Sequence, residues 1–253
     1  MSEKILKGYL QKVFRFHNSA SIEIERMHTG KYGAPGLKRQ KKRKATPEEI
    51  ERQNRTNREN KIRRIIKENF NAKKDYWITL TYEAGYRTSI EGVREDFEKF
   101  RDKIKYQYKK RGYGCKWVAR FGVGTLGAGH IHMVINRIPD ADLILNEAWE
   151  QITGTGYIDF VILRQKGDFA ALAYYIVKEE GEAHTAYTRS RNLRVPEPRK
   201  RPIKTKLLLD DPVPYKGYYI DKGSIKVGIN PVTGYRYQHF TMLPLPERRK
   251  KGG

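Results

Sequence analysis

Two short groups of residues in this 253-residue chain have types and spacings that could do chemistry. The first is Gly129-His130-Ile131-His132-Met133-Val134-Ile135. Side chains two apart on a strand point to the same face, so His130 and His132 can offer their imidazoles to one metal ion. The pair could equally share a polar sheet face with no ligand between them. The second group is Ala173-Tyr174-Tyr175-Ile176-Val177-Lys178. Tyr175 precedes Lys178 by three residues and Tyr174 by four, and both spacings place side chains on one side of a helix. A tyrosine oxygen attacks phosphorus when a metal or cation stabilises it and the scissile phosphate. A lysine one turn away supplies such charge or holds nucleic acid. On the plainer reading, the tyrosines are amphipathic core residues and the lysine reaches out to water. A looser third group mixes rings with cations: Tyr76, Trp77, Trp117, Tyr187, Arg189, Arg191, Tyr235, Arg236 and Tyr237. Bases of a single strand stack on such rings while Arg and Lys follow the backbone.

The charge balance points the same way. With 52 Lys and Arg against 29 Asp and Glu, the formal net charge is +23. Phosphate neutralisation with counterion release dominates the binding of so basic a chain, which makes nucleic acid the leading partner. The densest run is Lys38, Arg39, Lys41, Lys42, Arg43 and Lys44, broken only by Gln40, directly after the turn-prone Gly33-Ala34-Pro35-Gly36. It reads as an arm lying along a phosphate backbone, or else as a solvated linker. Other classes drop out. The aromatic content (17 Tyr, 9 Phe, 3 Trp) is too high for a wholly disordered polyelectrolyte. A single cysteine, Cys115, excludes an internal disulfide and a cysteine-built zinc cage. The opening MSEKILKGYL lacks the apolar stretch of a secretion signal, and no run is long enough to span a membrane. A soluble cytoplasmic protein is expected, with neither a membrane partner nor a small-molecule substrate.

The elements that must position these groups follow from periodicity. The first 45 residues show little regular pattern. Thr46-Pro47-Glu48-Glu49 starts a helix, with Thr46 and Glu49 as a capping box, that runs polar nearly all round to about Asn69. Tyr76 to Tyr82 is aromatic and β-branched, as a strand should be. Ser89 caps a helix whose apolar stripe is Ile90, Val93, Phe97, Phe100, Ile104 and Tyr108, and Gly112 stops it. Lys116 to Val123 and His130 to Asn136 form an antiparallel hairpin around a glycine-rich turn. Asp140 opens a short helix, Tyr157 to Leu163 is a further strand, and Asp168 caps a compact helix through Lys178. The order β-α-β-β-α-β-α predicts an α+β fold: a central antiparallel sheet of about five strands with helices on one face. The tail is basic and proline-broken, with a hairpin around Asn230-Pro231-Val232-Thr233-Gly234.

Taken in order, an Ile-Thr-Leu-Thr-Tyr strand (78–82), then His-x-His on a later strand, then Tyr-x-x-Lys on a helix resembles the HUH endonuclease family. Within it the sequence looks like the rolling-circle replication initiators of bacterial plasmids and phages. The resemblance covers about residues 75–193 and implies a nicking domain there, between a basic arm and polar helix (1–74) and a basic, aromatic C-terminal extension (194–253). Gly30 to Gly36 and Ser190 to Leu193 also look like segments of Rep-like proteins of Firmicute mobile elements. The resemblance implies that His130 and His132 hold Mg²⁺ or Mn²⁺. Tyr175 would attack single-stranded origin DNA to leave a 5′-phosphotyrosyl link and a priming 3′-OH. Lys178 would neutralise charge nearby, with Tyr174 in reserve as nucleophile. The arm cations, with Arg189 and Arg191, would grip flanking DNA. A separate helicase and host replication proteins are expected, because the chain has no P-loop. Such families commonly place an acidic or amide ligand on the strand before the histidine pair, where this chain has Arg120. Two imidazoles are a poor set for a hard ion, so either another residue such as Glu83 or Glu179 completes the site, affinity is low, or nicking has been lost. A relaxase or single-tyrosine transposase would share the chemistry. A non-catalytic replication or regulatory DNA-binding protein would keep only the charge and fold.

Overall fold

The computed structural model describes residues 8–30, 39–41, 43–83, 89–123, 128–178, 187–208 and 210–246. Lys38, Lys42 and Glu179 lie outside the described residues. In chain order the elements are β1 (Tyr9–Arg15), β2 (Ile22–His28), α1 (Pro47–Asn69), β3 (Tyr76–Thr81), α2 (Ile90–Lys110), β4 (Trp117–Val123), β5 (Gly129–Ile135), α3 (Ala141–Thr153), β6 (Tyr157–Ile162), α4 (Ala170–Val177), β7 (Tyr187–Arg189), β8 (Arg199–Ile203), β9 (Tyr218–Ile220), β10 (Lys226–Ile229) and β11 (Arg236–Pro244). The chain divides into two units, one made of residues 55–195 and one of residues 1–54 with 196–253. None of the described helices is long and apolar enough to cross a membrane.

The 55–195 unit is built on an antiparallel sheet in the order β6-β3-β5-β4-β7. Strand alternation sorts its residues. Tyr76, Ile78 and Leu80 of β3, Ile131, Met133 and Ile135 of β5, and Trp117, Ala119 and Phe121 of β4 all enter one core. Helix α2 covers that core with the expected stripe of Val93, Phe97, Phe100, Ile104 and Tyr108, all buried, and α3 adds Ile144, Leu145 and Trp149. Each large side chain buried this fully stabilises the unit by about 1.5–3 kcal/mol. Ser89 caps α2 by accepting from the Gly92 N–H. At the other end Gly112, at φ +80°, donates to the Lys109 carbonyl while the Tyr113 N–H reaches Tyr108, a Schellman stop that needs the left-handed residue.

The order of elements predicts helices on one face only, and here the structure corrects the sequence. A second core sits on the opposite face, where Val118, Val134 and Trp77 meet Ile62, Ile65 and Ile66 of α1 and Ala173, Ile176 and Val177 of α4. The polar look of α1 conceals this face, because only its C-terminal half carries the apolar residues that are buried there. The N-terminal capping box does form, with Glu49 and Thr46 each receiving the other's backbone N–H, at 3.0 and 3.3 Å. Asp168 departs from expectation as well. It stands in a 3₁₀ turn before α4, and its carboxylate meets Lys67 of α1 at 2.7 Å, with side chains 3% and 0% exposed. A buried ammonium needs a counter-charge more than a helix end needs a cap, so Phe169 takes the cap position without a side-chain bond.

The other unit holds a second antiparallel sheet, β10-β11-β2-β1-β8, with β9 beside β11. The first 45 residues therefore supply two strands where the sequence shows little regular pattern. Tyr9 faces His28 on one side and Ile203 on the other, and Ile22 faces Met242. The segments expected as separate N- and C-terminal extensions thus share one sheet, including the expected hairpin, β10 with β11. Arg26 lies buried within this sheet, its guanidinium donating to Gln11, Gln238 and the Leu207 carbonyl.

Candidate active site

The histidine pair falls on β5 as its alternation requires, with Ile131 and Met133 turned into the α2 core and His130 and His132 on the opposite face. Their rings are 4.8 Å apart and nearly perpendicular. Register builds the surroundings. Thr79 of β3 and Arg120 of β4 flank His132, and Thr81 and Gly122 flank His130. The Thr79 hydroxyl lies 3.0 Å from Nδ1 of His132, and Trp77 stacks on the His132 ring at 5.4 Å and 2°. Gly122 is a steric requirement, because a Cβ there would stand 2.5 Å from Nε2 and 2.9 Å from Cε1 of His130.

Helix α4 brings Tyr175 onto this face. Its ring centre is 5.1 Å from that of His132, edge to face, and 6.1 Å from that of Trp77. Tyr174, one residue earlier, is 45% exposed. The structure thus joins two of the sequence-derived groups, the histidine pair and Tyr175, and leaves Tyr174 facing solvent. Lys178 is half-buried at the C-cap, where the backbone turns extended and its N–H donates to the Tyr174 carbonyl.

Arg120 is 2% exposed. Its Nη1 donates to the carbonyls of Tyr175 at 2.8 Å and Ile176 at 3.3 Å and contacts that of Lys178, and its guanidinium lies 5.1 Å from the centre of the Tyr175 ring. The residue at the expected ligand position is therefore occupied with helix carbonyls. Glu83, the candidate substitute, accepts a hydrogen bond from Thr155. Among the described residues no three His, Cys, Asp or Glu side chains cluster as a metal site. What the site offers a divalent cation is two imidazole nitrogens, a set that suits Mn²⁺ better than Mg²⁺; phosphate oxygens and water complete the coordination of such ions at phosphoryl-transfer sites.

The basic residues are spread over the structure. Arg189 is half-buried on edge strand β7 opposite Val118, and Arg191 is exposed in the turn after it. Arg39 donates to the Thr233 carbonyl and lies over the Tyr235 ring, while Arg43 is held by Glu49. Lys41 and Lys44 are exposed. The unit made of 1–54 and 196–253 contains 26 of the 52 Lys and Arg but only 11 of the 29 Asp and Glu, so it carries most of the excess positive charge. Sequence reasoning missed Thr79, Gly122 and the packing role of Trp77. The alternation within β3 and β4 assigns all three to a face, but only the strand register sets them beside the histidines.

A histidine pair on the central strand of a five-stranded antiparallel sheet, with a tyrosine brought onto it from a following helix, is the layout of a protein that handles nucleic-acid phosphates. Residues 75–180, from just before β3 to just beyond α4, match the ORF2-type family of replication-associated proteins, and this segment of the chain is a domain of that family. No curated protein and no solved structure matches the chain.

Proposed function

We propose that the chain is a rolling-circle replication initiator that cuts and rejoins single-stranded origin DNA through Tyr175. The observation that supports this reading is the packing of the Tyr175 ring against His132, which brings a phenol to the histidine pair from a different element. The Tyr175 oxygen attacks the scissile phosphorus and forms a P–O bond as the bond to the 3′ oxygen breaks. The phenol proton passes to solvent and the departing 3′ oxygen takes one up. The products are a 5′-phosphotyrosyl link and a free 3′-OH, which primes synthesis. Attack by a 3′-OH on the same phosphorus later reverses the step and frees Tyr175. His130 and His132 would hold a Mn²⁺ or Mg²⁺ ion, which when bound withdraws charge from the phosphate. With Thr79 at Nδ1 of His132, Nε2 is the nitrogen assigned to that ion. Lys178, at the end of the same helix, would hold the charge of the flanking backbone. The basic unit would bind neighbouring DNA with a steep salt dependence, and unwinding would fall to a separate helicase.

The test is a denaturing gel of the full chain with labelled single-stranded DNA tiled across the element that encodes it. An adduct is expected with Mn²⁺, is lost with EDTA and in Tyr175→Phe, and is retained in Tyr174→Phe. An adduct that survives Tyr175→Phe would move the nucleophile elsewhere. Tight binding with no adduct on any DNA, origin included, would leave a non-catalytic DNA-binding protein.

A further inference from the structure

We propose that Arg120 is the positioning residue that sets Tyr175 against the histidine pair; this rests on Tyr175 as the nucleophile. Helix α4 is only eight residues long and poorly capped by its own sequence. Phe169 begins it in a left-handed conformation without a side-chain bond, its last turn has no basic residue, and the chain leaves it extended at Lys178. The last four carbonyls of a helix lack partners within it, and among the described residues only that of Tyr174 is taken by a following N–H. Arg120 meets this need from the sheet, its Nη1 reaching the carbonyls of Tyr175, Ile176 and Lys178. A cation at a helix C-terminus also opposes the helix dipole.

The origin of that side chain matters more than the cap itself. Arg120 lies on β4 directly opposite His132 on β5. One residue therefore connects the backbone of the proposed nucleophile to the strand beside the histidines, and its guanidinium also lies over the Tyr175 ring. A planar guanidinium with five donors can hold a turn of carbonyls in fixed orientation, whereas an ammonium acts as a point charge on a flexible stem. The basic residue at the position where a metal ligand was expected thus places the tyrosine and holds no ion.

The experiment measures, for Arg120→Gln and Arg120→Lys, the rate constant of adduct formation at saturating single-stranded DNA with Mn²⁺, together with the affinity for that DNA. A displacement of about 1 Å at a reacting group costs on the order of 100-fold in rate. Arg120→Gln is therefore expected to lose roughly 10- to 100-fold in rate constant, with affinity within about twofold of the parent, and Arg120→Lys is expected to fall between. Wild-type rates in both variants, or a parallel loss of affinity and rate, would overturn the proposal. Should Arg120→Gln fail to fold, Arg120→Lys decides by the same two readouts. Tyr175→Phe runs alongside. Its full activity would overturn the nucleophile assignment and the Arg120 proposal with it, whereas its inactivity beside unaffected Arg120 variants would overturn the Arg120 proposal alone.

Discussion

Gly122→Ala should separate function from stability. The added Cβ would meet Nε2 and Cε1 of His130 at 2.5 and 2.9 Å, where ordinary contact begins at 3.4 Å. The imidazole must therefore retreat by about 1 Å, a displacement that costs on the order of 100-fold in rate when a reacting or ligand group is moved. Folding should hardly register the change. His130 is only half-buried and its ring can turn, while glycine inside a strand is already about 0.5–1 kcal/mol less favourable than alanine. The expected result is a variant whose unfolding midpoint stays within a few degrees of the parent, whose Mn²⁺ affinity by calorimetry is weakened, and whose adduct forms about 100-fold more slowly. Wild-type Mn²⁺ affinity and rate in Gly122→Ala would refute the requirement that the His130 ring lie over β4.

Three further expectations follow from the packing. Asp168→Asn leaves the Lys67 ammonium buried without a counter-charge, which should destabilise by about 3–5 kcal/mol in urea unfolding, and adding Lys67→Met should restore most of the loss. Thr79→Val removes the hydroxyl at Nδ1 of His132 and should weaken Mn²⁺ binding by roughly 10- to 100-fold with the sheet intact, measured by calorimetry. Burial pushes the Cys115 thiol up to about 12. It should resist a disulfide reagent at pH 8 until the chain unfolds. Because the folded value is the higher one, its contribution to stability is complete below about 9, the ordinary thiol range, and is lost as pH climbs toward 12. Urea midpoints should accordingly drop less between about pH 8 and about pH 10.5 in Cys115→Ala than in the parent, and an equal drop would count against the assignment.

Much of the 55–195 unit was legible because its signals are local. The 3- and 4-residue spacing of the α2 stripe and the alternation of β3, β4 and β5 each act within one element, so the order β3-α2-β4-β5-α3-β6-α4 follows from the residues. The sheet of the other unit was not legible. Tyr9–Arg15 and Ile22–His28 mix apolar and charged residues, and β8 reads Arg-Lys-Arg-Pro-Ile, with little strand propensity of its own. Their pairing depends on partners nearly two hundred positions away, as Tyr9 with Ile203 shows. At the site, the His-x-His spacing declared a shared face, but register alone shows what flanks it. Arg120 and Asp168 misled for a common reason. A charged residue in a sequence reads as a ligand, a cap or a surface, and only the packed structure reveals a buried carbonyl array or an ammonium waiting for it.

The unit assembled from both ends of the chain has a consequence for synthesis. Strand β1 lies between β2 and β8, and β2 between β1 and β11. When residues 55–195 have all been made, the first sheet consists of a single hairpin, and a lone hairpin is marginally stable at best in water. The contiguous unit can close while the ribosome is still adding its successor, since domains fold as their residues emerge. The strands that complete the first sheet come only afterwards. The most positively charged part of the molecule is therefore the last to become a fold, and a chain cut short before β11 would carry the histidine–tyrosine face with that first sheet unfinished.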